Sequence, residues 1–382
     1  MIRSTVAHVD LSAIQSNLRA ITAFLADTRR ANGSGAGAPD PAVMAVVKAN
    51  AYGHGSGPVA LALEEAGATM LACADIEEAI VLRTAGVRTA VLVFGALGIS
   101  DVAGVFEHNL TPTISTPSAG RALQAAAAAR GVRLGYHLKI DTGMNRLGLR
   151  FDNLQHTLPE LLASPNLDLQ AVYTHFATAD DVDYPLFALQ RDRFERVLAD
   201  LPLLGVRPRL RHAANSAAIL RDSRVWFDIV RPGLLLYGVV PPPLACTVPL
   251  RSAMSLRSRI VAVKGVRPGD SVGYGAGFTA TRPGRIAVVP AGYADGLDMR
   301  LAGCGSVLVR GRRAPIIGSV CMDMITIDVT EVPVEPGDEA VIIGSQGEER
   351  IDVREMAAVI GTSPYEILCR IGARIERIYN ST

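Results

Sequence analysis

The sequence predicts an α/β protein, a (β/α)8 barrel of the TIM type followed by a mostly antiparallel β domain. Three observations carry that expectation. From residue 43 to about 240, a short apolar run, a polar or glycine break and an amphipathic stretch recur roughly eight times, which suits a closed barrel better than an open doubly wound sheet. A proline-rich stretch, "GVVPPPLACTVPL", interrupts the alternation. Beyond it the texture changes to short strand-like runs separated by turn residues.

In chain order, barrel strands are expected to begin near Val43, Met70, Ala90, Leu110, Leu134, Leu169, Leu210 and Phe227. Each apolar run is short and bounded by Gly, Pro or polar residues, the pattern of a strand buried on both faces. Between them, "PVALALEEAGA", "IEEAIVLRTAG" and "SAGRALQAAAAARG" read as helices, the last rich in alanine and closed by Gly131 as a C-terminal cap. The seventh unit is the least regular. After the break, "LRSRIVAVKGV", "GRIAVVPAGY", "GSVLVRG", "MITIDVT" and "EAVIIG" read as strands, and Pro-Gly-Asp turns recur at 268–270 and 336–338. A helix near 352–360 and the tail "SPYEILCRIGARIERIYN" complete the chain. The expected division is residues 1–245 for the barrel and 246–382 for the β domain, with the first ten or so residues packing against the latter.

Composition narrows the function. The chain has 382 residues, of which 49% are hydrophobic, and a net charge of +1 from 38 basic and 37 acidic residues. This balance offers no general attraction to nucleic acid or to an anionic membrane. The start of the chain lacks the apolar core of a secretory signal, and no apolar run approaches the roughly 18 residues that span a bilayer. Five cysteines are scattered and never form CxxC, which argues against a disulfide framework or a zinc site. The expectation is a cytoplasmic protein with reduced thiols and no metal. No P-loop is present, Pro58 spoils a dinucleotide fingerprint in "YGHGSGP", and "ATADDVD" reads as a solvated acidic loop.

In such a barrel, chemistry collects at the carboxyl ends of the strands. There the sequence places Lys48 and Tyr52, then Lys139 and Arg146, His175, His212 with Asn215 and Ser216, and Arg231 with Gly233. Taken singly, each is an ordinary loop or strand-end residue; their convergence on one rim is the signal. A lysine in an apolar setting can lose its proton and act as a nucleophile or base. A serine and free backbone N–H groups at a helix start suit a phosphate. Together they suggest a lysine-bound pyridoxal 5'-phosphate.

The motifs "VVKANAYGHG", "KIDTGMNRLG", "THFA", "HAANSAA", "VRPGLLLYG", "VGYGAGF", "GYADG", "VCMDM" and "SPYE" follow one another in the order found in the alanine racemases, which the chain resembles along essentially its whole length. The resemblance implies a homodimeric, pyridoxal phosphate-dependent isomerase that interconverts L- and D-alanine by a two-base mechanism and supplies D-alanine for peptidoglycan. It implies that Lys48 binds the cofactor and serves as one base. Tyr274, from the β domain of the partner subunit, would be the other. Arg231 would face the pyridine nitrogen, and His175 would link it to Tyr274. Tyr52, Asn215, Ser216, Tyr365 and the backbone at Gly233 and Leu234 would hold the phosphate. Arg146 and the backbone at Met322 would receive the substrate carboxylate, a carbamylated Lys139 would orient Arg146, and His212 would support Arg231. Tyr293 and Asp323 would line the entrance. One departure stands out: where the family often carries an arginine after "GYADG", this chain has "LDMR", so either Met299 replaces it or Arg300 is displaced.

Arg231 also discriminates among pyridoxal chemistries. A guanidinium donates and does not accept, so a ring nitrogen facing it stays unprotonated and the ring is a weaker electron sink. That favours racemisation over a basic amino-acid decarboxylase of the same architecture, in which a carboxylate faces the nitrogen. A non-catalytic pyridoxal phosphate carrier would not need the β domain. A racemase of broader amino-acid specificity remains an alternative at this point.

Overall fold

The structure is a computed structural model that describes residues 4–33, 39–95 and 102–380. Its first ten strands are β1 (Val6–Asp10), β2 (Ala42–Val46), β3 (Met70–Cys73), β4 (Val91–Val93), β5 (Thr111–Ile114), β6 (Leu134–Asp141), β7 (Leu149–Arg150), β8 (Leu167–Tyr173), β9 (Leu210–Asn215) and β10 (Ile229–Arg231). Eight of them form a closed parallel barrel. The order β5-β4-β3-β2-β10-β9-β8-β6 returns on itself through a β5–β6 pairing, and β7 adds a short edge beside β6.

The two ends of the barrel sequence meet where Ile229 and Val230 pair with Ala42 and Val43. Helices between the strands begin at side chains that satisfy otherwise unpaired N–H groups. Asp75 accepts from the Glu78 N–H, Thr116 from Ala119 and Asn215 from Ala218. Gly131 follows the alanine-rich helix Pro117–Ala129 with φ +64°, as its place in the sequence predicts.

Several boundaries differ from expectation for local reasons. The sixth barrel strand starts at Leu167, two residues early. The eighth starts at Ile229, because Phe227 sits at φ +49° and the Asp228 carboxylate is occupied by the Arg211 N–H and guanidinium. The seventh unit is irregular because its helix, Ser216–Arg221, has only six residues.

The second sheet is mostly antiparallel and draws its strands from residues 254–380, with one exception. Strand β1 lies within it, antiparallel to Met254–Arg259 on one side and parallel to Glu376–Asn380 on the other. Most buried apolar residues of barrel and sheet form one continuous cluster, with a small separate one around Val272, Ile286 and Ile317. Among the described residues, no helix is long and apolar enough to cross a membrane.

Candidate active site

The rim of the barrel encloses a cavity of about 370 Å³. Of the residues singled out in the sequence, Lys48, Tyr52, Lys139, Arg146, His175, Asn215, Ser216, Arg231, Gly233 and Tyr365 line it. Val46, Ala74, Phe94, Gly95, Leu147 and Tyr173 complete the wall. No acidic residue is among them, although four cations converge. Such a pocket is built for an anionic occupant.

Lys48 stands at the start of an unusual turn. Ala49, Asn50, Ala51 and Tyr52 each lie at φ between 52° and 54°, and Gly53 and Gly55 continue the turn at φ +80° and +96°. A left-handed run of residues bearing Cβ atoms costs on the order of 1–2 kcal/mol per residue. It is held by a dense set of hydrogen bonds. The Ala51 N–H reaches Val47 O and the Gly53 N–H reaches Ala49 O, both at 2.9 Å. Glu78 accepts from the Ala49 and Ala74 N–H groups through its two oxygens. The Asn50 carbonyl amide oxygen accepts from the Ser56 N–H at 2.8 Å. Buried His54 donates from Nδ1 to the carbonyls of Ala51 (3.1 Å) and Tyr52 (2.9 Å). The result aims Lys48 and Tyr52 into the cavity. Burial, and then the charge of Arg146, lower the Lys48 pKa from its usual value, as a base requires.

Arg231 is 3% exposed and held by four acceptors. It donates to the carbonyls of Thr174 and Ala213 at 2.9 Å, to His212 Nδ1 at 2.8 Å and to His175 Nδ1 at 3.2 Å. Since guanidinium only donates, both imidazoles must accept at Nδ1 and carry their proton on Nε2. His212 Nε2 then donates to His137 Nδ1 at 3.1 Å, and the ring of Tyr173 stacks on His212 at 4.5 Å. Burial, then Arg231, holds all three histidines neutral, with His137 pushed down to about 4. Burial pushes Arg231 itself down to about 10, still cationic at neutral pH.

Lys139 is 6% exposed. Burial, then Arg146 and Arg231, push its amine down to about 8. Ser216 Oγ accepts from the Gly233 N–H at 2.9 Å and the Leu235 N–H at 3.4 Å. A Cβ on Gly233 would collide with the Tyr52 hydroxyl, so the bare backbone there keeps a hydroxyl-lined recess open. Leu234 is buried behind it. The Tyr365 ring lies 5.8 Å from that of Tyr52.

Four expected residues are not brought to this cavity within the chain. Tyr274 is 79% exposed and Met322 52% exposed on the second sheet, with Tyr293 nearby, whose N–H donates to Cys321 O. Ser319 Oγ donates to Tyr274 O, so all belong to one surface. Asp323 is paired with Arg374 at 2.6 Å. The departure after "GYADG" resolves simply: Arg300 forks onto Asp298 at 2.9 and 2.7 Å, and Met299 is left exposed.

Sequence reasoning missed His137, Tyr173 and His54. The first two carried a legible signal, because residues two apart on a strand share a face. His137 precedes Lys139 by two, and Tyr173 precedes His175 by two. Among the described residues, no group of three or more metal-ligating side chains is found.

Residues 9–241 match the family model described as "Alanine racemase, N-terminal domain", and residues 253–379 match "Alanine racemase, C-terminal domain". The chain is 39% identical over 379 residues to the alanine racemase of Symbiobacterium thermophilum, covering 99% of this chain and 97% of the relative. Its fold superposes on the alanine racemase of D-cycloserine-producing Streptomyces lavendulae with a TM-score of 0.92 and 36% identity, covering 100% and 98% of the two chains. The Bacillus anthracis alanine racemase, solved with bound L-Ala-P, gives a TM-score of 0.89 and 37% identity, with 100% and 96% coverage.

Proposed function

The chain belongs to the alanine racemase family of isomerases, and on that premise we propose that it interconverts L- and D-alanine with pyridoxal 5'-phosphate as resident cofactor. The observation that carries this reading is the cavity wall: Lys48, Lys139, Arg146 and Arg231 converge with no acidic residue among its described lining. That donor set fits a group bearing a phosphate and a phenolic oxygen. When bound, the cofactor withdraws electrons from the substrate and acidifies its Cα proton.

The protein's own residues then do the following. Lys48 holds the cofactor and moves the Cα proton on one face. Tyr274 of the partner subunit moves it on the other, since racemisation needs proton carriers on opposite sides. Arg231, held in place by His212 and through it by His137, would donate to the ring nitrogen. His175 stands between Arg231 and the partner's Tyr274. Tyr52, Asn215, Ser216, Tyr365 and the backbone at Gly233 and Leu234 hold the phosphate. Arg146 receives the substrate carboxylate together with the backbone of the partner's Met322. Lys139, neutral in a fraction of molecules near pH 7, adds carbon dioxide through its amine nitrogen with loss of a proton to solvent, and the resulting carbamate orients Arg146. Tyr293 and Asp323 flank the entrance, and Arg300 is bound to Asp298.

The exposure of Tyr274 and Met322 supports a homodimer whose sites are shared, the barrel of residues 1–245 working with the partner's residues 246–382. A cytoplasmic role in supplying D-alanine for peptidoglycan completes the proposal. The L-Ala-P bound by the Bacillus anthracis relative supports an alanine-sized substrate. Arg231 among the lining residues, with no carboxylate in the described lining, counts against the decarboxylase alternative. The test is to incubate purified protein with L-alanine and pyridoxal phosphate, follow D-alanine, and trap the cofactor with borohydride. Absence of D-alanine, or reduced cofactor on a lysine other than Lys48, overturns the reading.

A further inference from the structure

The strained turn that carries Lys48 is also gripped from behind, by the last stretch of the chain. Arg377, on the strand Glu376–Asn380, donates from Nε to Gly53 O at 3.1 Å. Its other nitrogens donate to the carbonyls of Gly372 and Ile375 at 2.7 Å and of Ile371 at 2.6 Å. One guanidinium therefore ties the end of the lysine turn to the loop at 371–375. The backbones are in close contact as well. A Cβ on Gly53 would fall on the Leu368 carbonyl, and one on Gly55 on the Tyr379 hydroxyl. None of Leu368, Arg377 and Tyr379 lines the cavity.

We propose that Leu368–Tyr379 is a clamp that sets the position of Lys48 from outside the cavity, with Arg377 as its positioning residue. The proposal rests on the reading of Lys48 as the cofactor-bearing lysine. A left-handed run of non-glycine residues survives only where its surroundings over-determine it. His54, Glu78 and Asn50 brace the run from within the barrel. Arg377 braces it from the second sheet, on a strand paired with β1 from Glu376 to Asn380 and so anchored independently of the turn. The planar fork reaches four carbonyls at once, whereas a lysine presents a single ammonium and can satisfy only some of them. Cofactor binding should therefore respond to a change that touches no atom of the cavity.

The experiment is Arg377→Lys in the full-length holoenzyme, read in two ways. Amide hydrogen exchange of peptides spanning 48–55 should quicken about tenfold or more, with the barrel helix Pro117–Ala129 unchanged. Cofactor affinity, titrated by absorbance, should weaken by a similar factor. Unchanged exchange at 48–55 overturns the proposal, as does acceleration spread evenly over the barrel, which would make Arg377 a general stabiliser. Should the variant not fold, the wild-type protein decides. The clamp requires amides of 48–55 and 376–380 to open together, with one denaturant dependence, and independent opening refutes it. Exchange reads the clamp whichever lysine carries the cofactor, while borohydride trapping tests that assignment separately.

Discussion

Replacing Lys139 by methionine should make the folded protein more stable while impairing catalysis. The amine is almost fully enclosed, with Arg146 and Arg231 as charged neighbours, and it titrates at about 8 instead of 10.5. At 1.36 kcal/mol per pH unit, that difference corresponds to about 3 kcal/mol spent on keeping an ammonium in the fold. The sign follows from proton counting. Between pH 8 and 10.5 the unfolded chain holds more protons at this site than the folded one, so the native state gains stability as pH rises through that window. Below it the full penalty applies; above it none remains. Methionine is unbranched, of similar girth and uncharged. The variant should therefore exceed the parent by up to about 3 kcal/mol at pH 7, and the margin should shrink as pH approaches 10.5. Urea unfolding at fixed protein concentration, in buffers freed of carbon dioxide, measures it. Bicarbonate should stabilise the parent alone, because only it can replace the cation with a carbamate. A margin of zero at pH 7, or one that does not change with pH, would refute the reasoning.

Tyr274→Phe should lower racemisation about 10²–10⁴-fold in both directions, while solvent-deuterium exchange into D-alanine through Lys48 persists. Equally fast exchange into L-alanine would undo the assignment of the two bases. Mixing inactive Lys48→Ala and Tyr274→Phe proteins should restore about a quarter of the parent's activity, since half the dimers formed are mixed and each holds one intact site; no recovery after subunit exchange would contradict shared sites. Gly53→Ala places a Cβ at φ +80° against the Leu368 carbonyl and should destabilise by roughly 2–5 kcal/mol, read as a fall in the denaturation midpoint.

The barrel was legible because buried parallel strands leave an unmistakable trace: short apolar runs closed by Gly, Pro or polar residues, ending at Lys48, His175 and Arg231. The lining residues were legible for the same reason, since they sit where strands end. The left-handed turn was not. Nothing in "KANAY" announces it, because alanine and asparagine prefer other conformations, and the cause lies in Glu78, His54 and Arg377, distant or seemingly incidental in sequence. The start of the eighth strand was misjudged because the aromatic Phe227 reads as strand, while the Arg211–Asp228 pair that bends the chain is invisible until the fold brings the two together. His137 shares a face of β6 with Lys139, but its partner His212 lies on another strand, so its role shows only in the fold.

The sandwiching of Val6–Asp10 between Met254–Arg259 and Glu376–Asn380 has a bearing on how the protein is made. Ribosomes add about 5–20 residues per second, so roughly 20–75 s pass between the first of these segments and the last. Until Met254–Arg259 emerges, about two-thirds of the way through, the early strand has neither neighbour, and its apolar residues Val6, Ala7 and Val9 must be shielded some other way. The barrel can close meanwhile, since all its strands emerge by Arg231. Completion of the second sheet waits for Glu376–Asn380, and a chain truncated before Glu376 leaves Val6–Asp10 as the exposed edge, open to the wrong partner. Vectorial synthesis thus places the hazard of misassembly at the pairing of Val6–Asp10 with strands made long after it and not in the barrel.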